Sequence, residues 1–184
     1  MILGAFTLCI TTLGTAAHAG SSATVPGTRT NATSGTGSIF DAPMPSSVIT
    51  SCNNSTGTGY CISYAPREEG YIPCPTGYLC LYTDVDWKGM QVRFPAGNWH
   101  PNLSYIKCPA HDGDEDYYCT TEEDFNDEVS SWANNATGIM YCVNWSISGE
   151  PGAPYNNDMP PGTQGSYIGD LWNDQASALS KQGC

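Results

Sequence analysis

Hydrophobic and polar positions form short runs along this chain, each cut by Gly or Pro. The run Tyr78–Tyr82 is apolar and aromatic, as a buried strand is. A polar turn follows over 84–89, and then Met90, Val92 and Phe94 alternate with Gln91 and Arg93. That period of two marks a half-buried strand, and Pro95 and Gly97 break it. Strand, turn, strand and breaker predict a β-hairpin. A second unit of the same kind is expected over 138–145, with Gly149, Pro151 and Gly152 in its turn. The best helical candidate is 122–133, and Ser130 and Ser131 argue against its continuing, because their hydroxyls compete for backbone groups. Short strands between Gly and Pro turns predict an all-β sandwich or barrel. All five Trp fall in this half of the chain and supply its core.

The N-terminal part has a different texture. Residues 1–10 are apolar and uncharged, and Ala17, His18 and Ala19 form an A-x-A site before Gly20, which reads as a secretory signal peptide over 1–19. Residues 20–51 are rich in Ser, Thr, Gly, Ala and Pro and read as a flexible leader. Residues 52–70 read as an irregular arm tied down by cysteine. The main domain is expected over 71–184, and nothing after the start of the chain approaches the roughly 20 apolar residues of a membrane span.

Cysteine usage supports an exported protein. Of the nine cysteines, Cys9 lies in the signal, leaving Cys52, Cys61, Cys74, Cys80, Cys108, Cys119, Cys142 and Cys184. An even number in an exported chain points to disulfides and an oxidising destination. Cys74 and Cys80 flank a Pro-Thr-Gly turn and are expected to pair, and Cys108 with Cys119 is a second expected pair. Structural zinc is disfavoured, since no Cys-x-x-Cys occurs. The formal charge is −12 with six Lys and Arg, which argues against nucleic acid and against an anionic membrane surface as partners. No Gly-x-Ser-x-Gly or His-Glu-x-x-His occurs, so catalysis is not expected.

One short motif occurs twice. Asn126, Asp127, Glu128, Val129, Ser130 and Ser131 are echoed by Asn173, Asp174, Gln175, Ala176, Ser177 and Ala178, so that Asn-Asp-x-x-Ser repeats 47 positions apart. Such a repeat suggests a duplicated structural unit. Asn, Asp and Ser are hard oxygen donors suited to calcium, and they also satisfy backbone groups at turns. Asp112, Asp114, Asp116 and Glu123 imitate the ligand spacing of an EF-hand loop, but Tyr117 stands where that loop needs Gly. A solvated acidic loop is the expected alternative.

Tyr82, Trp87 and Gly89, followed by Asn126, Asp127, Ser130 and Ser131, resemble a βγ-crystallin Greek-key motif. Tyr141 to Gly149, with Asn173, Asp174 and Ser177, resembles a second. The strings Cys74-Pro-Thr-Gly-Tyr-Leu-Cys-Leu-Tyr82 with Asp84, and Phe125-Asn-Asp127 with Val129-Ser-Ser-Trp132 and Asn134-Asn135, are similar to a family of secreted bacterial peptidase inhibitors whose type member blocks metalloproteinases. The resemblance covers roughly 71–184. It implies a βγ-crystallin-like double Greek-key sandwich with motifs over about 71–137 and 138–184. It also implies a monomeric, secreted inhibitor of an extracellular peptidase that occludes the cleft.

By the same resemblance, calcium would be held by Asp127, Ser130 and the Glu128 carbonyl, crossed with Asp174, Ser177 and the Gln175 carbonyl. The second motif departs from the pattern in its longer hairpin turn and in Ala178, which stands where a terminal Ser is expected. No inhibitory loop is identifiable from sequence. A non-inhibitory calcium-binding or structural module and a secreted toxin are the alternative functions, because a fold does not fix function.

Overall fold

The computed structural model describes residues 39–40, 42–65, 71–110, 118–119, 123–147 and 157–181. The described chain is all-β, with nine strands and two single-turn 3-10 segments. The strands are β1 (Ile49–Asn53), β2 (Tyr60–Tyr64), β3 (Tyr78–Tyr82), β4 (Gln91–Pro95), β5 (Ser131–Asn134), β6 (Tyr141–Asn144), β7 (Asn157–Met159), β8 (Thr163–Gly165) and β9 (Ala178–Lys181). Six form one sheet in the order β1-β2-β4-β3-β5-β8, and three form another in the order β7-β6-β9. Every pairing is antiparallel.

Two crossings join the halves of the chain. Strand β8 comes from the second half and pairs with β5, at the edge of the first sheet. His100 comes from the first half and bridges Leu179 of β9, with hydrogen bonds of 3.0 and 2.8 Å between their backbones. Each half thus contributes backbone to the other half's sheet.

The main core lies between the sheets. Leu79, Leu81, Val92 and Phe94 of the first sheet cluster with Tyr141, Val143, Met159 and Leu179 of the second. Fully burying a side chain of this size stabilises the fold by about 1.5–3 kcal/mol. A second cluster lies on the other face of β3, where Cys80 and Tyr82 meet Ile39, Ile72 and Cys74. This explains why Tyr78–Tyr82 reads as a continuous apolar run: the strand is covered on both faces. Ile39, within the stretch read as a leader, is 2 % exposed. Tyr82 and Gln91 tie the outer cover down, since the Tyr82 hydroxyl donates to the Ile72 carbonyl at 2.8 Å and Gln91 Nε2 donates to the Pro73 carbonyl at 3.0 Å.

The expected hairpins are present as β3–β4 and β6–β7. The candidate helix over 122–133 is not one: its described part is irregular and ends in β5. Its buried residues Phe125, Val129 and Trp132 lack helical spacing, and Ser130 donates its amide to the end of β3 instead. The arm over 52–70 is also more regular than expected. Cys52 and Cys61 sit directly opposite each other in a hairpin whose second strand extends the sheet through β4. Its alternation was masked by polar residues, because every side chain of β1 is exposed.

Candidate functional site

The repeated motif meets its copy in space. Asp127 and Asp174 hold φ values of 59° and 56°, the left-handed region that Asn and Asp adopt at small cost among non-glycine residues. The preceding Asn braces each one. Asn126 Nδ2 donates to Asp127 Oδ2 at 2.7 Å, and Asn173 Nδ2 donates to Asp174 Oδ2 at 2.5 Å.

The backbone bonds then repeat with the halves exchanged. The Asp127 amide donates to the Ala176 carbonyl at 3.0 Å, and the Asp174 amide donates to the Val129 carbonyl at 3.4 Å. Ser130 donates its amide to Tyr82 at the end of β3, and Ser177 donates its amide to Asn144 at the end of β6. The Ser130 carbonyl accepts from Ile168, and the Ser177 carbonyl accepts from Leu103, both at 2.8 Å. These paired bonds give the site a local two-fold relation that neither copy has alone.

The side chains cross in the same way. Ser177 Oγ donates to Asp127 Oδ1 at 3.3 Å. Ser130 hydrogen-bonds the Asp174 carboxylate. Burial pushes the Asp127 carboxyl above its ordinary value, and the nearby Glu128 and Asp124 charges add to the shift. Asp174 is raised by burial and then by Glu128 and Asp127. Two crowded carboxylates with hydroxyl partners make a set of hard oxygens that a cation would relieve. Among the described residues no three His, Cys, Asp or Glu side chains cluster as a metal group, so carbonyls and hydroxyls would have to complete any shell. The donor set fits calcium on those terms, with Asp127, Ser130 and the Glu128 carbonyl crossed against Asp174, Ser177 and the Gln175 carbonyl.

The terminal Ser of the first motif has a different task. Ser131 Oγ donates to the Asp84 carbonyl at 2.6 Å and accepts from the Trp87 amide at 3.1 Å, which closes the motif onto the β3–β4 turn. Trp87 Nε1 adds a bond to the Trp132 carbonyl at 3.1 Å. Gly89 is required in this turn, where it holds φ 71° and a Cβ would collide with the Thr83 and Asp84 side chains. Ala178 is fully buried at the matching position of the second motif and offers no hydroxyl. Trp132 is 8 % exposed, whereas Trp87 is only partly buried.

The cysteines form a frame around these elements. Cys52 pairs with Cys61, Cys74 with Cys80, and Cys108 with Cys119. Cys142 is also disulfide-bonded, and Cys184 lies outside the described residues. The acidic residues Asp112, Asp114 and Asp116 and the second hairpin turn over 148–152 also lie outside them. One feature carried no sequence signal of its own: the turn over 169–173 presents Leu171, 73 % exposed, in a polar stretch.

The comparisons with known proteins bear on this frame. Peptidase inhibitor family I36 matches residues 67–147. The match spans β3, β4, β5 and β6 and takes in the Cys74–Cys80 and Cys108–Cys119 disulfides. It covers the first Asn-Asp-x-x-Ser motif and stops before the second, so it is shorter than the resemblance over 71–184. No curated protein and no solved structure matches the chain. The match supports a peptidase inhibitor, which is a non-enzymatic class and implies a peptidase as partner.

Proposed function

We propose that this chain is a secreted inhibitor of an extracellular metalloproteinase and acts by occluding the active-site cleft. The observation that carries the proposal is the inhibitor-family match across the disulfide-framed strands β3 to β6. The metalloproteinase class is supported by the resemblance of the 74–84 and 125–135 strings to the family whose type member blocks such enzymes. Export is supported by the apolar start with its A-x-A site and by the cysteine pairs. The domain plan is a signal over 1–19, a leader over 20–51, an arm over 52–70 and two crystallin-like Greek keys over about 71–137 and 138–184. The crossings by β8 and His100, and the two-fold bonds around Asp127 and Asp174, support that double Greek key. The inhibitor is a monomer that takes neither nucleic acid nor membrane as partner, in keeping with its charge of −12.

A rigid frame suits this function. A loop ordered before binding loses less entropy in the cleft and leaves it slowly. Titration of purified mature protein against a panel of metallo- and serine peptidases tests the proposal. Stoichiometric inhibition of a metallopeptidase is expected, and inhibition of no enzyme in the panel overturns it.

The reciprocal Asp–Ser contacts favour a second, compatible property, calcium binding at the crossed motifs. Bound calcium would supply positive charge between Asp127 and Asp174. The chain's own residues orient that charge site, since Asn126 and Asn173 hold the carboxylates in place. If calcium binds and no peptidase is inhibited, the chain is instead a calcium-binding or structural module.

A further inference from the structure

We propose that the 169–173 turn enters the target peptidase, with Leu171 as its anchor in an apolar pocket of the cleft. This rests on the inhibitor function proposed above. A lone exposed leucine is ordinary on a protein surface. This one stands on a turn that is held at its base, and its neighbours form an apolar platform.

The turn is ordered by its own backbone. The Gly169 carbonyl accepts from the amides of both Trp172 and Asn173 at 2.9 Å, and the Gln175 amide donates to the Trp172 carbonyl at 3.2 Å. Gly169 holds φ 100°, which a side chain would oppose. On either side, Ile168 and Asp174 donate their amides to Ser130 and Val129 of the first half. Tyr167 donates its hydroxyl to Asp170 Oδ1 at 2.8 Å across the start of the turn. The backbone is therefore fixed while Leu171 is left in water.

Next to Leu171, the Trp172 ring packs on Trp145, with centroids 5.6 Å apart. Trp145 is itself 44 % exposed, so the pair extends the apolar surface beyond the single leucine. Asp170 and Asp174 lie within the same six residues and give the surface an acidic edge. The fitting partner is a cleft with an apolar pocket and a cationic rim. Anchoring residues in such contacts are large, central and surrounded by groups that exclude water, which is the arrangement here.

The test compares inhibition by wild type, Leu171→Ser, Leu171→Met and Tyr105→Ser, using the peptidase that wild type inhibits most tightly in the panel. Tyr105 is 71 % exposed on a different turn and serves as the control. Leu171→Ser should weaken inhibition about 30-fold with Tm unchanged, as expected for an anchor. Leu171→Met and Tyr105→Ser should stay within about three-fold of wild type, because volume-conserving swaps and remote positions cost little. Leu171→Ser inhibiting as tightly as wild type overturns the assignment and leaves the inhibitor function standing. Failure of wild type to inhibit any peptidase overturns both.

Discussion

Replacing Ser131 with Ala should loosen the first hairpin without opening a cavity in the core. Ser131 is fully buried, and its single hydroxyl serves two backbone groups on the β3–β4 turn. That turn carries Asp86 and Trp87 at φ 57° and 60°. Left-handed backbone costs an L-residue about 1–2 kcal/mol, so tertiary contacts must hold this conformation. Ala removes the donor to Asp84 and the acceptor for Trp87 together. Asp84 is exposed, so its carbonyl can turn to water. The Trp87 amide lies deeper and bears most of the loss, which is about 1–3 kcal/mol for a group left without a partner. For a chain of this size that is a fall in Tm of about 2–4 °C per kcal/mol. Urea denaturation of the disulfide-intact protein measures it, and an unchanged slope would show that only stability has moved. The second motif provides the contrast, since Ala178→Ser should bring no gain at a fully buried position. A Ser131→Ala midpoint within about 0.5 kcal/mol of wild type, the range of an inert surface change, would refute the staple.

Trp132→Ala should cost about 3–5 kcal/mol by denaturant melt, because the indole is buried against the main core. Gly165→Ala should destabilise from the other side, as its Cβ would sit 2.6 Å from Trp132 Nε1; an unchanged Tm would show that the indole can move away. Burial raises the Asp127 and Asp174 carboxyls, so the folded state holds those protons more tightly than the unfolded chain. Their contribution to stability is therefore greatest below the ordinary value of about 3.9 and falls as pH rises through the raised values. Asp127→Asn should raise the Tm of chelator-treated protein at neutral pH and abolish any increase on adding calcium; a calcium-dependent increase that survives would remove Asp127 as a ligand. His100 has the opposite sign, since burial lowers its pKa. Its contribution is complete above about 6.5 and is lost as pH falls below it, so His100→Phe should flatten the acid limb of Tm against pH. An acid limb identical to wild type would assign acid sensitivity to other groups.

Much of the fold was legible from local pattern. The strands β3 and β4 and their Gly89 turn follow from side-chain alternation and from turn chemistry, both properties of neighbouring residues. The Cys74–Cys80 pair follows from a short tight turn between the two cysteines. The repeated Asn-Asp-x-x-Ser was visible as a repeat, and with it the donor atoms of the candidate site. What lay beyond the local pattern depended on partners distant in the chain. Strand β1 has no buried face, so no hydrophobic period announced it, and pairing with β2 alone defines it. Strands β7 and β8 are three residues each, too short for periodicity, and β8 is placed by β5. The 122–133 segment carries weak helical signals that lose to the bonds Ser130 and Ser131 make with β3 and its turn. The crossing of Asp127 with Ser177 is decided only when the halves exchange backbone around the core, because its geometry belongs to two segments 50 positions apart. The exposure of Leu171 is decided in the same way, since a leucine in a polar stretch reads alike whether it ends in a core or on a turn held out into water.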